Sequence, residues 1–279
     1  MILSLIKLLK KLKGWKEKHL SFVRRGILIK AVAQTIPTYI MSVFLLPKNL
    51  CHHLEKIICD FWWGSTTGLK KMHWIKWSKL CKAKKDGGMG FRDLRAFNEA
   101  LLSKQSWRIQ TQQNSLMAKV LKAKYFSHST FYEAKVKPGI SYSWRNILHS
   151  RWILKKCCFW TIGNGTTIDI WKDNWLPFQN GFKILSKEPS NNTLVKISDL
   201  IDPNTKDWNI SILNTTFMPI EAQQISQIPL TNTTEEDDIV CAGINHGDYI
   251  VKSVYCAIKT WEEQTSDNPS NSATLSNPI

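Results

Sequence analysis

Apolar positions recur at helical spacing over most of the chain. Ile2, Leu5, Ile6, Leu8, Leu9 and Leu12, with Lys7, Lys10, Lys11 and Lys13 between them, predict a basic amphipathic helix. From Ser21 the pattern stays helical to about Ile36, breaks near Pro37 and stops at Pro47, because proline has no backbone N–H to donate. Asn49 is a suitable cap for a helix whose stripe is Leu50, Leu54, Ile57, Ile58 and Phe61. A turn-rich link over residues 64–71 leads through Met72-His73-Trp74-Ile75-Lys76-Trp77 into a short helix that Gly87 and Gly88 end. Asn98 reads as the cap of a helix over residues 99–110, and two more helices are expected over residues 116–125 and 144–154. Residues 160–171 alternate around Asn164-Gly165, the dipeptide of two-residue hairpin turns. Beyond Pro177 only short apolar runs remain, over residues 195–201, 208–213, 225–230 and 247–259. Residues 262–279 are Ser-, Asn-, Thr- and Pro-rich and are expected to be disordered. The predicted fold is mainly α, with a β-hairpin near 160–171 and a small irregular α+β segment towards the C-terminus.

Charge divides the chain in two. The net charge of +16 is the sum of a +24 first part, with 31 Lys and Arg against 7 Asp and Glu over residues 1–160, and a −8 second part, with 7 against 15. A polyanion-binding surface therefore belongs in the first part. Thirteen Trp are expected mostly in cores, with their N–H groups bonded. Seven Cys without paired spacing read as reduced thiols of an intracellular protein, nuclear or cytoplasmic. The longest charge-free apolar run, residues 31–47, is too short and too interrupted to span a membrane.

Catalytic chemistry is hard to place. Asp237-Asp238 is the only Asp pair and follows Glu235-Glu236, a pattern that reads as a solvated acidic run. Cys51, His52, His53 and Cys59 lack the paired spacing of a zinc site, and Cys157-Cys158 has no His or second Cys pair near it in sequence. There is no Gly-x-Ser-x-Gly elbow, and Gly163-x-Gly165 is a turn rather than a phosphate loop. No catalytic residue, metal ligand or cofactor is assigned. The remaining functional signal is Lys70, Lys71, Lys76, Lys79, Lys82, Lys84, Lys85, Arg92 and Arg95, interleaved with Trp74, Trp77 and Phe91, a composition that can neutralise phosphates and stack bases. Lys16, Lys18, Lys30, Lys104 and Arg108 extend the candidate nucleic-acid surface.

Several strings together resemble one family. GWKEKHLS (14–21), LIKAVAQTIPTYIMSVFLLP (28–47), GGMGFRDLRAFNEALLSKQSWR (87–108), IGNGTTIDIWKDNWLP (162–177) and the Tyr-x-Val-Lys-Ser-x-Tyr pattern at 249–255 resemble the region after the catalytic palm of plant LINE-type (non-LTR) retrotransposon reverse transcriptases. The resemblance runs over about residues 8–259. It implies a helical thumb (1–65), a basic helical linker ending in a hairpin (66–180) and the start of a zinc-binding module (181–261), followed by the tail (262–279). Arg24-Arg25-Gly26 stands where the family has Gly-Arg, and Cys241 where it often has Trp. The family's aromatic-x-Asp-Asp turn is absent, and its Cys/His cluster lies further along. The implied capacity is non-catalytic binding of RNA or DNA, with a full-length reverse transcriptase in trans as a further partner. Two alternatives stand beside it: a domesticated interaction protein that docks a partner or membrane through its basic N-terminal helix, and a gene fragment without function.

Overall fold

The computed structural model describes residues 20–65, 71–177, 181–189, 193–230, 235–242 and 247–267, with Lys10 and Gly14. The N-terminal amphipathic helix and residues 268–279 lie outside them. The chain is mainly α, with one small antiparallel two-stranded sheet among the described residues. It forms two compact units. The first takes residues 1–106, 135–150 and 255–279, the second 107–134 and 151–254. Two long helices, Leu94–Thr111 and Val251–Asp267, each contribute to both units.

In the first unit, α1 (Phe22–Leu28) starts at Ser21, whose hydroxyl accepts the Arg24 N–H, and passes into a π-helical turn at Ile29–Ala33. The break expected near Pro37 is present before α2 (Thr38–Met41). Helix α3 (Lys48–Trp63) begins directly after Pro47, so Asn49 lies inside it rather than capping it. It ends at Gly64 in the left-handed conformation, where Arg25 donates to the Trp62 carbonyl at 2.7 Å. Arg25 thus satisfies a helix-end carbonyl, which gives the Arg24-Arg25-Gly26 variation a structural role. After α4 (Trp77–Leu80) and a 3-10 turn at Lys84–Asp86 comes α5 (Leu94–Thr111).

The cap of α5 differs from the one expected. Asp93 Oδ1 accepts the N–H groups of Arg95 and Ala96, both at 3.0 Å, and so starts the helix five residues before Asn98. Asn98 is instead fully buried: its amide donates to the Met41 and Phe44 carbonyls at 2.6 and 2.9 Å and accepts the Leu46 N–H at 2.7 Å. Arg95 donates to the Leu46 carbonyl and Tyr142 to that of Leu45, so the irregular segment before Pro47 is held from several sides. The helix expected over residues 144–154 is two helices, α7 (Tyr142–His149) and α8 (Arg151–Cys157), parted at Ser150, whose hydroxyl bonds Ser106 and the Ile147 carbonyl. Between α5 and α7 runs α6 (Leu116–Tyr125), capped by Ser115.

In the second unit, β1 (Cys158–Thr161) overlaps the start of the expected hairpin. Its partner is β2 (Asp238–Cys241), in the register Cys158↔Cys241 to Thr161↔Asp238, rather than the segment that follows Asn164-Gly165. That segment wraps Asp237: Oδ1 accepts the N–H groups of Gly163 and Gly165 at 2.9 and 2.8 Å, and Oδ2 that of Thr167 at 2.9 Å. Asp237 is therefore a half-buried anchor within an otherwise exposed acidic run. Gly165 has φ +68, and a Cβ there would lie 2.8 Å from the Ser198 nitrogen, so the wrap needs glycine. Ile168, Ile170, Trp175, Leu176, Leu200, Trp208 and Phe217 build the core, with α9 (Ile210–Thr216) and α10 (Pro219–Ser226) packing together. Trp171, Trp175 and Trp208 each donate their indole N–H to a backbone carbonyl, at 3.0, 3.0 and 2.8 Å, as expected of buried tryptophan. The sheet pairing also places Cys241 beside Cys157 and Cys158, so this pair is not isolated as the sequence suggested. Helix α11 (Val251–Asp267) contains residues 262–267, which were expected to begin the disordered tail.

Candidate nucleic-acid interface

The basic segment of residues 71–85 has little regular structure, and this is what exposes it. Only α4 and the 3-10 turn interrupt it, and Lys71, Lys76, Lys79, Lys82, Lys84 and Lys85 are all exposed. The chain then turns tightly: Gly87 takes φ 76, and a Cβ on Gly88 would fall 2.1 Å from the Lys82 carbonyl oxygen. Gly88 and Gly90 donate to the carbonyls of Ala83 and Lys82, which fixes the lysine-bearing turn against its own backbone.

Lys30 belongs to the same neighbourhood. Its ammonium lies 5.8 Å from the centre of the Phe91 ring, and its pKa is lowered, first by burial and then by the charge of Lys84. Among the described residues no carboxylate makes a salt bridge to Lys30, Lys84 or Lys85. Lys82 differs, because its ammonium sits 3.1 Å from the Glu263 carboxylate.

The structure sorts the other sequence candidates. Arg92 is half-buried over the Phe97 ring at 4.5 Å, and Arg95 is committed to Glu99 at 2.6 Å and to the Leu46 carbonyl. These two arginines are engaged with neighbouring groups of the fold, unlike the exposed lysines of the turn. Lys104 and Arg108 are exposed on α5, away in sequence from the turn. Lys16, Lys18 and Lys70 lie outside the described residues. Of the aromatics, Trp77 stacks on buried Phe91 at 5.3 Å, while Trp74 is 76% exposed and free to take a base. Lys30 was among the basic candidates of the sequence; the electrostatic influence of Lys84 on it was not legible, since 54 residues separate them.

Among the described residues no helix is long and apolar enough to cross a membrane. No protein-family model matches the chain. It is 39% identical over 169 residues to the Arabidopsis thaliana protein named "Putative ribonuclease H protein At1g65750", a match that covers 60% of this chain and 27% of that protein. It is 45% identical over 142 residues to the "Uncharacterized mitochondrial protein AtMg00310" of Arabidopsis thaliana, a match that takes in 50% of this chain and 92% of that protein. At that identity, over nearly the whole of the smaller relative, the chain belongs to the same family as this Arabidopsis mitochondrial protein.

Proposed function

We propose that the chain derives from a plant transposon, corresponds to the region after the palm of a LINE-type reverse transcriptase, and binds the backbone of RNA or DNA without catalysis. The observation that carries this reading is the exposed, glycine-tightened turn that bears Lys79, Lys84 and Lys85, with exposed Trp74 close in sequence and, among the described residues, no carboxylate in a salt bridge to any of the three. One relative is named a ribonuclease H protein, which agrees with an origin among nucleic-acid-processing elements. The reading without catalysis is supported by the single Asp pair, where both oxygens of Asp237 already accept backbone N–H groups. Binding of this kind rests on phosphate charge and stacking, and is tolerant of sequence.

The test is a salt titration of RNA affinity. Changing Lys79, Lys84 and Lys85 together to Ala should weaken binding similarly across sequences and reduce the slope of log affinity against log salt by about 2 to 3, at roughly 0.7–0.9 per phosphate contact. A triple change of exposed Lys183, Lys187 and Lys252 in the second unit should do much less. Equal losses from both triples would mean that bulk charge explains binding, and the located interface would be dropped.

A further inference from the structure

Eighty residues after β1 ends at Thr161, Cys241 of β2 returns to the start of that strand. The sulfur of Cys158 lies 3.6 Å from that of Cys157 and 3.4 Å from that of Cys241, and Cys157 and Cys241 are 3.8 Å apart. All three side chains are buried. Cys158 and Cys241 face each other across the sheet, and because the Cys241 N–H goes to the Gly247 carbonyl and that of Ala242 to Cys157, theirs is a non-hydrogen-bonded pair, the kind with the closest side chains. Cys157 is the last residue of α8, so its side chain is not bound by strand alternation and can join the same group.

Three thiols packed for bulk alone need not form a closed triangle. A tetrahedral zinc with Zn–S bonds of about 2.3 Å has S···S edges of about 3.8 Å. The observed edges of 3.4, 3.6 and 3.8 Å are within a few tenths of an ångström of one face of that tetrahedron. Cys158 lines a cavity of about 640 Å³, whose wall carries Lys155, Lys172, Lys183 and Lys196. The cavity gives an ion a way in and a water a place as fourth ligand, and its lysines offset the net charge of −1 that three thiolates and a divalent ion would carry.

We propose that Cys157, Cys158 and Cys241 form a three-thiolate site for a thiophilic d10 metal ion, zinc foremost, with a fourth position supplied from the adjoining cavity. Binding breaks three S–H bonds, releases three protons to solvent and forms three metal–sulfur bonds, with no change of oxidation state. The site joins two strands distant in sequence, so the ion would fasten the sheet of the second unit. It uses none of Cys51, His52, His53 and Cys59, and it does not depend on the nucleic-acid reading above.

The experiment is a titration of the reduced, metal-free full chain with Cd²⁺, read by thiolate-to-metal charge-transfer absorbance and competed with Zn²⁺. One equivalent should bind with the absorbance of three thiolates, and zinc should displace it. C157S, C158S and C241S should each weaken binding at least tenfold, whereas C256S, at an exposed thiol, should not. As a measurement that needs no variant, zinc should slow alkylation of Cys157, Cys158 and Cys241 in the unaltered protein, mapped by mass spectrometry, and leave Cys256 unchanged. Absence of a one-equivalent band, a band that survives in C158S, or zinc protection of other cysteines instead would overturn the proposal. So would a mass two daltons low under reducing conditions, from a Cys158–Cys241 disulfide that leaves too few thiolates.

Discussion

Residues 71–85 and 93–106 lie next to each other in the same unit and are built in opposite ways. In the first, every lysine side chain is exposed and the backbone is held by short turns. In the second, Leu94, Ala96, Phe97, Asn98, Ala100, Leu102, Ser103 and Ser106 are buried, and Asp93 caps the helix while also pairing with Lys259 at 3.0 Å. The second segment carries part of a string that resembles the family named above, yet Asp93, Asn98, Ser103 and Ser106 bond the protein's own backbone, and its lysine, Lys104, faces solvent. A motif rich in Arg, Asn and Ser can record how a helix is packed, while the proposed polyanion contacts fall in the exposed lysine segment. The difference predicts that substitutions in 93–106 move stability, and those in 71–85 move affinity and its salt dependence.

The strongest way to break that comparison is Asn98→Leu. The substitution strands the Met41 and Phe44 carbonyls and the Leu46 N–H inside the protein, and at roughly 1–3 kcal/mol per unsatisfied buried group it should cost about 3–5 kcal/mol. Denaturant unfolding should show the loss, and amide exchange should accelerate across residues 41–46. A stability change below about 1 kcal/mol would mean that the amide is not the clamp described.

Asp237→Ala extends the comparison to the second unit. Asp237 looks in sequence like a surface residue, as the lysines do, yet three backbone N–H groups converge on it. Loss of these charge-assisted bonds should cost about 2–3 kcal/mol and raise exchange at Gly163, Gly165 and Thr167. A neutral effect would restore the solvated acidic run.

What was legible follows the range of each interaction. Helical periodicity and proline stops depend on neighbours in sequence, so the mainly α class, the break near Pro37 and the end at Pro47 could be read directly. Asn98 misled because its side chain suits a cap as well as it suits a buried clamp, and only the position of residues 41–46 decides between them. Asn164-Gly165 suggested a local hairpin, yet the turn closes on a carboxylate 72 residues beyond Gly165, and β1 finds its partner in β2. The three-cysteine cluster was hidden for the same reason: spacing reveals ligands carried on one turn or helix, and a strand pair that joins residues 158 and 241 leaves no spacing to read. The lysine patch could be located by composition, but its sorting into paired, structural and unpaired charges needed the fold.

The smallest effect belongs to Glu263→Gln, and it tests the boundary between the two regions. Glu263 lies on α11 and meets Lys82 at 3.1 Å, the one salt bridge from the patch lysines among the described residues. Both side chains are about half exposed, so water and salt screen the pair, and such surface bridges contribute little to stability, on the order of 0–1 kcal/mol. The substitution should therefore leave unfolding within about 0.5 kcal/mol of the unaltered protein. Its effect should appear in RNA binding instead: Lys82 loses its carboxylate, one more ammonium faces solvent beside Lys84 and Lys85, and affinity should rise modestly at low salt. The salt slope should steepen by no more than about 0.7–0.9, the increment of a single phosphate contact. A large loss of stability would show that Lys82 is as structural as Arg95, and the exposed segment would then be smaller than drawn. Weaker RNA binding in this variant would contradict an electrostatic interface at the turn, since the change removes a negative charge and adds no bulk.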